Sequence, residues 1–166
     1  AVAEPNSHTL SIQDDDQAGV VVDDGGNGTN LAEATPLVGE GITVKLQSRP
    51  DRQLLNPAAP GDPASYGPPA DVVMHVTPDR DCTVDWNGQT ASAGHPFDVT
   101  IANAEWNTGQ TLTTHAVDDH YDEDLRDETV KHRCEIRYSF TSLDPIYDAT
   151  QDAYEVNIAD DDTAGV

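Results

Sequence analysis

A chain of 166 residues is the size of one ordinary domain and long enough to bury a substantial core. Its 31 Asp and Glu against 8 Lys and Arg leave a net charge of −23, which argues against nucleic-acid partners and anionic membrane surfaces, since both need cationic side chains. No stretch approaches the ~20 apolar residues of a helical membrane span, so no membrane insertion is expected.

The strand signals are short alternating or β-branched runs bounded by Gly, Pro, Asn and Asp. The first two, 9–13 and 18–23, flank an aspartate triplet, Asp14, Asp15 and Asp16. In 41–48, Ile42, Val44 and Leu46 share one face and Thr43, Lys45 and Gln47 the other. Residues 49–70 hold six of the eleven prolines, including Pro68 and Pro69, so they are expected to form a stiffened insertion that extends no sheet. Strand runs resume at 70–77, 81–86, 95–101 and 110–117, the last alternating Thr111, Thr113 and His115 with Leu112, Thr114 and Ala116. Next come seven carboxylates in the eleven positions 118–128, namely Asp118, Asp119, Asp122, Glu123, Asp124, Asp127 and Glu128. Strands 131–140 and 153–159 follow, and the second runs into Asp160, Asp161 and Asp162. Helix signals are nearly absent. Period-2 alternation with one polar face specifies antiparallel sheets packed on one side, and this many strands make a two-sheet sandwich. A disordered acidic tail is the competing explanation of the charge, and the recurring strand period argues against it.

The chain also repeats itself. Residues 10–20, Leu-Ser-Ile-Gln-Asp-Asp-Asp-Gln-Ala-Gly-Val, match residues 156–166, Val-Asn-Ile-Ala-Asp-Asp-Asp-Thr-Ala-Gly-Val, with Asp160 standing 146 positions after Asp14. A recurring strand, acidic cluster and small-residue exit marks a joint between units of an array. Residues 1–17 then read as the strand and linker that end a preceding unit, and 18–166 as one unit. Alone, strand 9–13 would leave backbone groups unpaired, so it is expected to pair with a neighbour, in tandem or by strand donation between subunits. The alternative is an ordinary first strand, frayed at residues 1–8.

Dense carboxylates on sheet-connecting loops suit a hard divalent cation. Calcium takes six to eight oxygens at about 2.3–2.6 Å. The clusters at 14–16, 118–128 and 160–162 qualify, with Asp14 and Asp16 candidate ligands in the first. The second follows strand 110–117 and the third follows 153–159, so the two can meet at one end of a sandwich. An EF-hand at 23–34 fails, because Gly25 and Ala34 stand where ligands belong. A solvated acidic rim is the bland alternative. His8, His75, His95 and His132 read as surface or strand-face residues. Cys82 and Cys134 form either one disulfide or two buried thiols; the acidic composition and lack of other thiols favour the disulfide and an oxidising compartment.

Residues 104–119, Ala-Glu-Trp-Asn-Thr-Gly-Gln-Thr-Leu-Thr-Thr-His-Ala-Val-Asp-Asp, resemble the NWNTPQTVTVTAVDD stretch of Calx-β-like repeats, which occur in large bacterial surface proteins and adhesins. The acidic loop, the strand 131–141 ending in Thr-Ser, the turn at Tyr147 and the closing strand continue the pattern. Upstream, Ala18-Gly-Val-Val-Val22, Glu33 and residues 42–50 match its opening strands. The resemblance implies an immunoglobulin-like antiparallel β-sandwich that binds Ca2+ at one pole near the junction with the next unit. The ligands it implies fall on Glu33, Asp118, Asp119, Asp122, Glu123, Asp124, Asp127, Glu128, Asp160 and Asp162. The Pro-rich insertion and the cysteine pair are additions to the usual repeat.

The leading expectation is a secreted or cell-surface structural module, bacterial or archaeal, of a tandem array or head-to-tail filament, its partners being copies of the same domain and calcium stiffening the joints. The alternative is an adhesin-type module binding a glycan or host protein through 49–70, where Tyr66 lies. An enzyme, such as a glycosidase using paired carboxylates, lacks a nucleophile motif and is not expected.

Overall fold

Alternation along the strands sets the architecture of the computed structural model, which describes residues 19–26, 30–54, 66–122 and 132–163. The strands are β1 (Val20–Asp23), β2 (Asn30–Ala32), β3 (Glu40–Leu46), β4 (Arg52–Leu54), β5 (Tyr66–Pro69), β6 (Val72–Pro78), β7 (Cys82–Trp86), β8 (Gln89–Ala91), β9 (Phe97–Ile101), β10 (Gln110–Ala116), β11 (His132–Ser142) and β12 (Gln151–Ala159). They build two five-stranded sheets, ordered β1-β3-β10-β7-β8 and β2-β12-β11-β6-β9. Every pairing in them is antiparallel except β2 with β12. The all-β sandwich expected from the sequence is the fold.

One residue in two faces inward. Ile42, Val44 and Leu46 of β3 and Leu112, Thr114 and Ala116 of β10 are buried from one sheet. Val72, Met74 and Val76 of β6, Ile136, Tyr138 and Phe140 of β11, and Val156 and Ile158 of β12 meet them from the other. Trp106, within the 104–119 stretch, is half-buried against this core.

Strand 9–13 and the segment 1–17 lie outside the described residues. Strand 18–23 begins at Val20, and β2, β4, β5 and β8 are additions to the expected set. β7 and β8 are joined by Asn87 and Gly88, whose φ values of 48° and 81° make the two-residue turn that suits a tight hairpin. The described residues of the insertion pair with neither main sheet, and β4 and β5 form a two-stranded sheet of their own. Pro68 and Pro69 fit there because each strand of a two-stranded sheet is an edge.

Register fixes the two ends of the sandwich. β10 starts opposite Val44 and closes opposite Glu40, so residues after Ala116 leave at the end where β3 begins. β12 finishes at that same end, with Ile158 opposite His132, the first residue of β11. The insertion grows from the opposite end, after β3 and before β6. There the buried Asn103 donates from Nδ2 to the carbonyls of Pro50 (2.6 Å) and Ala70 (3.2 Å), and its Oδ1 accepts from Arg49 Nε at 2.9 Å. One amide thus ties both stems of the insertion to the sandwich.

Candidate metal centre

The parallel pairing of β2 with β12 creates the site. Ala32 lies opposite Ala159, and both strands then leave the sheet in the same direction. The next residues, Glu33 and Asp160, therefore emerge side by side, held by a hydrogen bond from Glu33 N to Ala159 O of 3.0 Å. Carboxylate oxygens of Glu33, Asp160 and Asp161 lie within 4.8 Å of one another. Two oxygens on one calcium ion stand at most about 5 Å apart, twice the usual bond length. The three groups fit around a single such ion.

Glu33 is only 1% exposed, unusual for a carboxylate beside two others. His132 Nε2 lies 3.4 Å from Glu33 Oε1 and supplies a cation there only when protonated. Asp162 folds back, its backbone N–H donating to Asp160 Oδ1 at 2.7 Å. Its Oδ2 is shielded from solvent with no hydrogen-bond partner among the described residues. The Asp162 carboxyl is pushed above its ordinary range, first by loss of hydration and then by Asp160, against an opposing pull from His120, with Asp161 and Asp118 adding to the rise. That set of neighbours brings the segment after β10 and the segment after β12 to one pole. Excess negative charge at this pole is what a divalent cation would relieve.

Of the expected ligands, Glu33 and Asp160 meet directly, and Asp118 and Asp162 stand in the same field. Asp119 closes its own turn, its Oδ1 accepting from Tyr121 N at 2.8 Å. Asp122 is exposed beyond that turn. Asp14, Asp16, Glu123, Asp124, Asp127 and Glu128 lie outside the described residues. Two members of the pole stood outside the expected ligand set. Asp161 belonged to the recognised triplet but not to the positions the resemblance carried over. His132, read from sequence as a surface or strand-face residue, has a side chain only 9% exposed and packs beside Glu33. Its parity with Cys134, Ile136 and Tyr138 on β11 was the available signal.

The cysteines form the expected disulfide, closing a span of 52 residues. It joins β7 of one sheet to β11 of the other, with Cys82 opposite Ala116 and Cys134 two residues from His132. The bond therefore fastens the sheets together beside the acidic pole. Asp79 also approaches these sulfurs. With the sulfurs bonded to each other, Asp79 acts as a clamp instead, accepting from Asp81 N at 3.0 Å and Glu135 N at 2.8 Å.

No protein-family model matches the chain, and no curated protein matches it. Among solved structures, it is similar to the CooA pilin subunit from enterotoxigenic Escherichia coli, with a TM-score of 0.37 and 11% identity, over 87% of this chain and 99% of that one. A likeness of this size carries no argument about function. No helix among the described residues is long and apolar enough to cross a membrane.

Proposed function

We propose that this protein is an extracellular structural module of the Calx-β-like type, set in a tandem array or head-to-tail filament, whose acidic pole binds Ca2+ and stiffens the joint with the next unit. The observation that carries this reading is the convergence of Glu33, Asp160 and Asp161 within 4.8 Å, around a carboxylate that is 1% exposed. Glu33, Asp160 and Asp161 would hold the ion, with Asp162 and Asp118 completing the field around it. Bound calcium supplies compact positive charge without proton chemistry, which suits mechanical stiffening. The protein's part is to present the oxygens from β2 and β12 and to keep the sheets in register through the Cys82–Cys134 bond. That disulfide also suits an oxidising, extracellular setting.

A second reading, an adhesin-type module for a glycan or host protein, draws on the insertion. Its stems are fixed by Asn103, and Asp144 Oδ2 accepts from Asp51 N at 2.7 Å, so the loop stands on a rigid base at the end away from the acidic pole. Melting the full chain in calcium and in chelator tests the leading reading. A substantially lower melting temperature in chelator is expected; identical melts would sink the calcium role.

A further inference from the structure

We infer that successive copies of this domain dock end to end through apolar residues, with Leu37, Val38 and Tyr121 of one copy facing Leu143 and Ile146 of the next. The inference rests on the tandem or filament reading above and names the surfaces that meet. Six large apolar side chains are exposed among the described residues, and five of them lie at the two ends of the sandwich. Leu37 (92% exposed) and Val38 (64%) sit on the β2–β3 connection, and Tyr121 (70%) follows β10, all at the acidic end. Leu143 (59%) and Ile146 (63%) sit on the β11–β12 connection at the opposite end. Singly scattered surface hydrophobes need no explanation, but confinement to two poles does.

Both connections are built rather than loose. Val38 N donates to Thr35 O at 2.9 Å, which closes the turn carrying Leu37. At the other end Ile146 N donates to Asp144 Oδ1 at 2.9 Å. Beside it the buried Tyr147 hydroxyl donates to Ser48 O at 2.6 Å. Preformed turns present their side chains at little ordering cost.

The internal repeat selects the occupant. Ala18, Gly19 and Val20 recur as Ala164, Gly165 and Val166. Here Val20 opens β1 opposite Leu46, and Gly19 O accepts from Gln47 N at 2.9 Å, next to the Ser48 that Tyr147 holds. A next copy opening its own β1 at the repeated valine has three residues between Asp162 and that strand, four steps or at most about 14 Å of chain. Its Leu143 and Ile146 end is thereby brought to the acidic pole. Arg49, exposed at the same end, adds a cation facing the carboxylates. The contact is heterologous and propagates without closing, as an array or filament requires.

The test mixes full-length Leu37→Cys and Ile146→Cys chains of distinguishable mass at millimolar concentration, comparable to that imposed by a short linker. Mild oxidation is run in calcium and in chelator. The native cysteines are bonded to each other, so only the introduced thiols report. Mixed dimers well above the one-half share set by random collision are expected in calcium, with each variant keeping the parent's melting temperature. A random share, a preference for like pairs or no crosslinking overturns the docking. Crosslinking that is equally selective in chelator upholds the docking and removes calcium from it, which separates the two readings. Adding Leu143→Asp to the Ile146→Cys chain should return the mixed dimers to the random share; an unchanged excess also overturns the inference.

Discussion

Replacing Glu33 by glutamine keeps the shape of a side chain that is 1% exposed and removes only its charge. The neighbouring carboxylates lie within 4.8 Å, where two unit charges at an effective dielectric near 20 repel by about 3.5 kcal/mol. Solvent reaching the half-exposed Asp160 reduces this to about 1–2 kcal/mol. The amide oxygen can still face His132 Nε2, which lies 3.4 Å from Glu33 Oε1 in the parent. In chelator, therefore, Glu33→Gln should melt roughly 2–8 °C above the parent. In calcium at a hundredfold excess over its dissociation constant, the parent gains about 2.7 kcal/mol, or roughly 5–11 °C, which the variant largely forgoes. The order of the two melting temperatures then inverts. Circular-dichroism melts of both proteins in both buffers measure it. A variant that melts below the parent by the same margin in each buffer would show Glu33 to be a packing residue with no part in calcium binding.

Cys82→Ala with Cys134→Ala opens the 52-residue span, and a loop of that length costs about 4 kcal/mol to leave unlinked, so melting should drop by roughly 8–16 °C. Asn103→Ala removes the donor to the Pro50 and Ala70 carbonyls and should cost about 2–4 kcal/mol, read as a lower urea midpoint at unchanged slope. The Asp162 carboxyl, raised above its ordinary 3.8, binds its proton in the folded chain before the unfolded chain does. In chelator its contribution to stability therefore grows as pH falls from the raised value towards 3.8 and is lost as pH rises through that window; Asp162→Asn should remove this part of the pH profile of melting.

The fold was largely legible because burial on one face imposes period 2 on long strands. Ile42, Val44 and Leu46 point inward as their alternation requires, as do Leu112, Thr114 and Ala116. Short strands escaped because three residues are too few to show a period. β2 and β8 are of this kind, and the pairing of β4 with β5 depends on partners across a Pro-rich span. The acidic pole was legible in part. The triplets announced carboxylates, but only the parallel register of Ala32 with Ala159 places Glu33 beside Asp160. His132 lies on a strand, as a strand-face reading allows, but its inward parity gave no sign of a partner until the register placed a buried carboxylate beside it.

Direct calcium binding tests whether the acidic pole holds the ion. The full chain, stripped with chelator, is dialysed to equilibrium against radiolabelled calcium in enough salt to screen the diffuse attraction of a net charge of −23. Saturable retention of at least one calcium per chain is expected, abolished or strongly weakened by Glu33→Gln. Calcium that distributes equally across the membrane, or is retained equally by parent and variant, would contradict it.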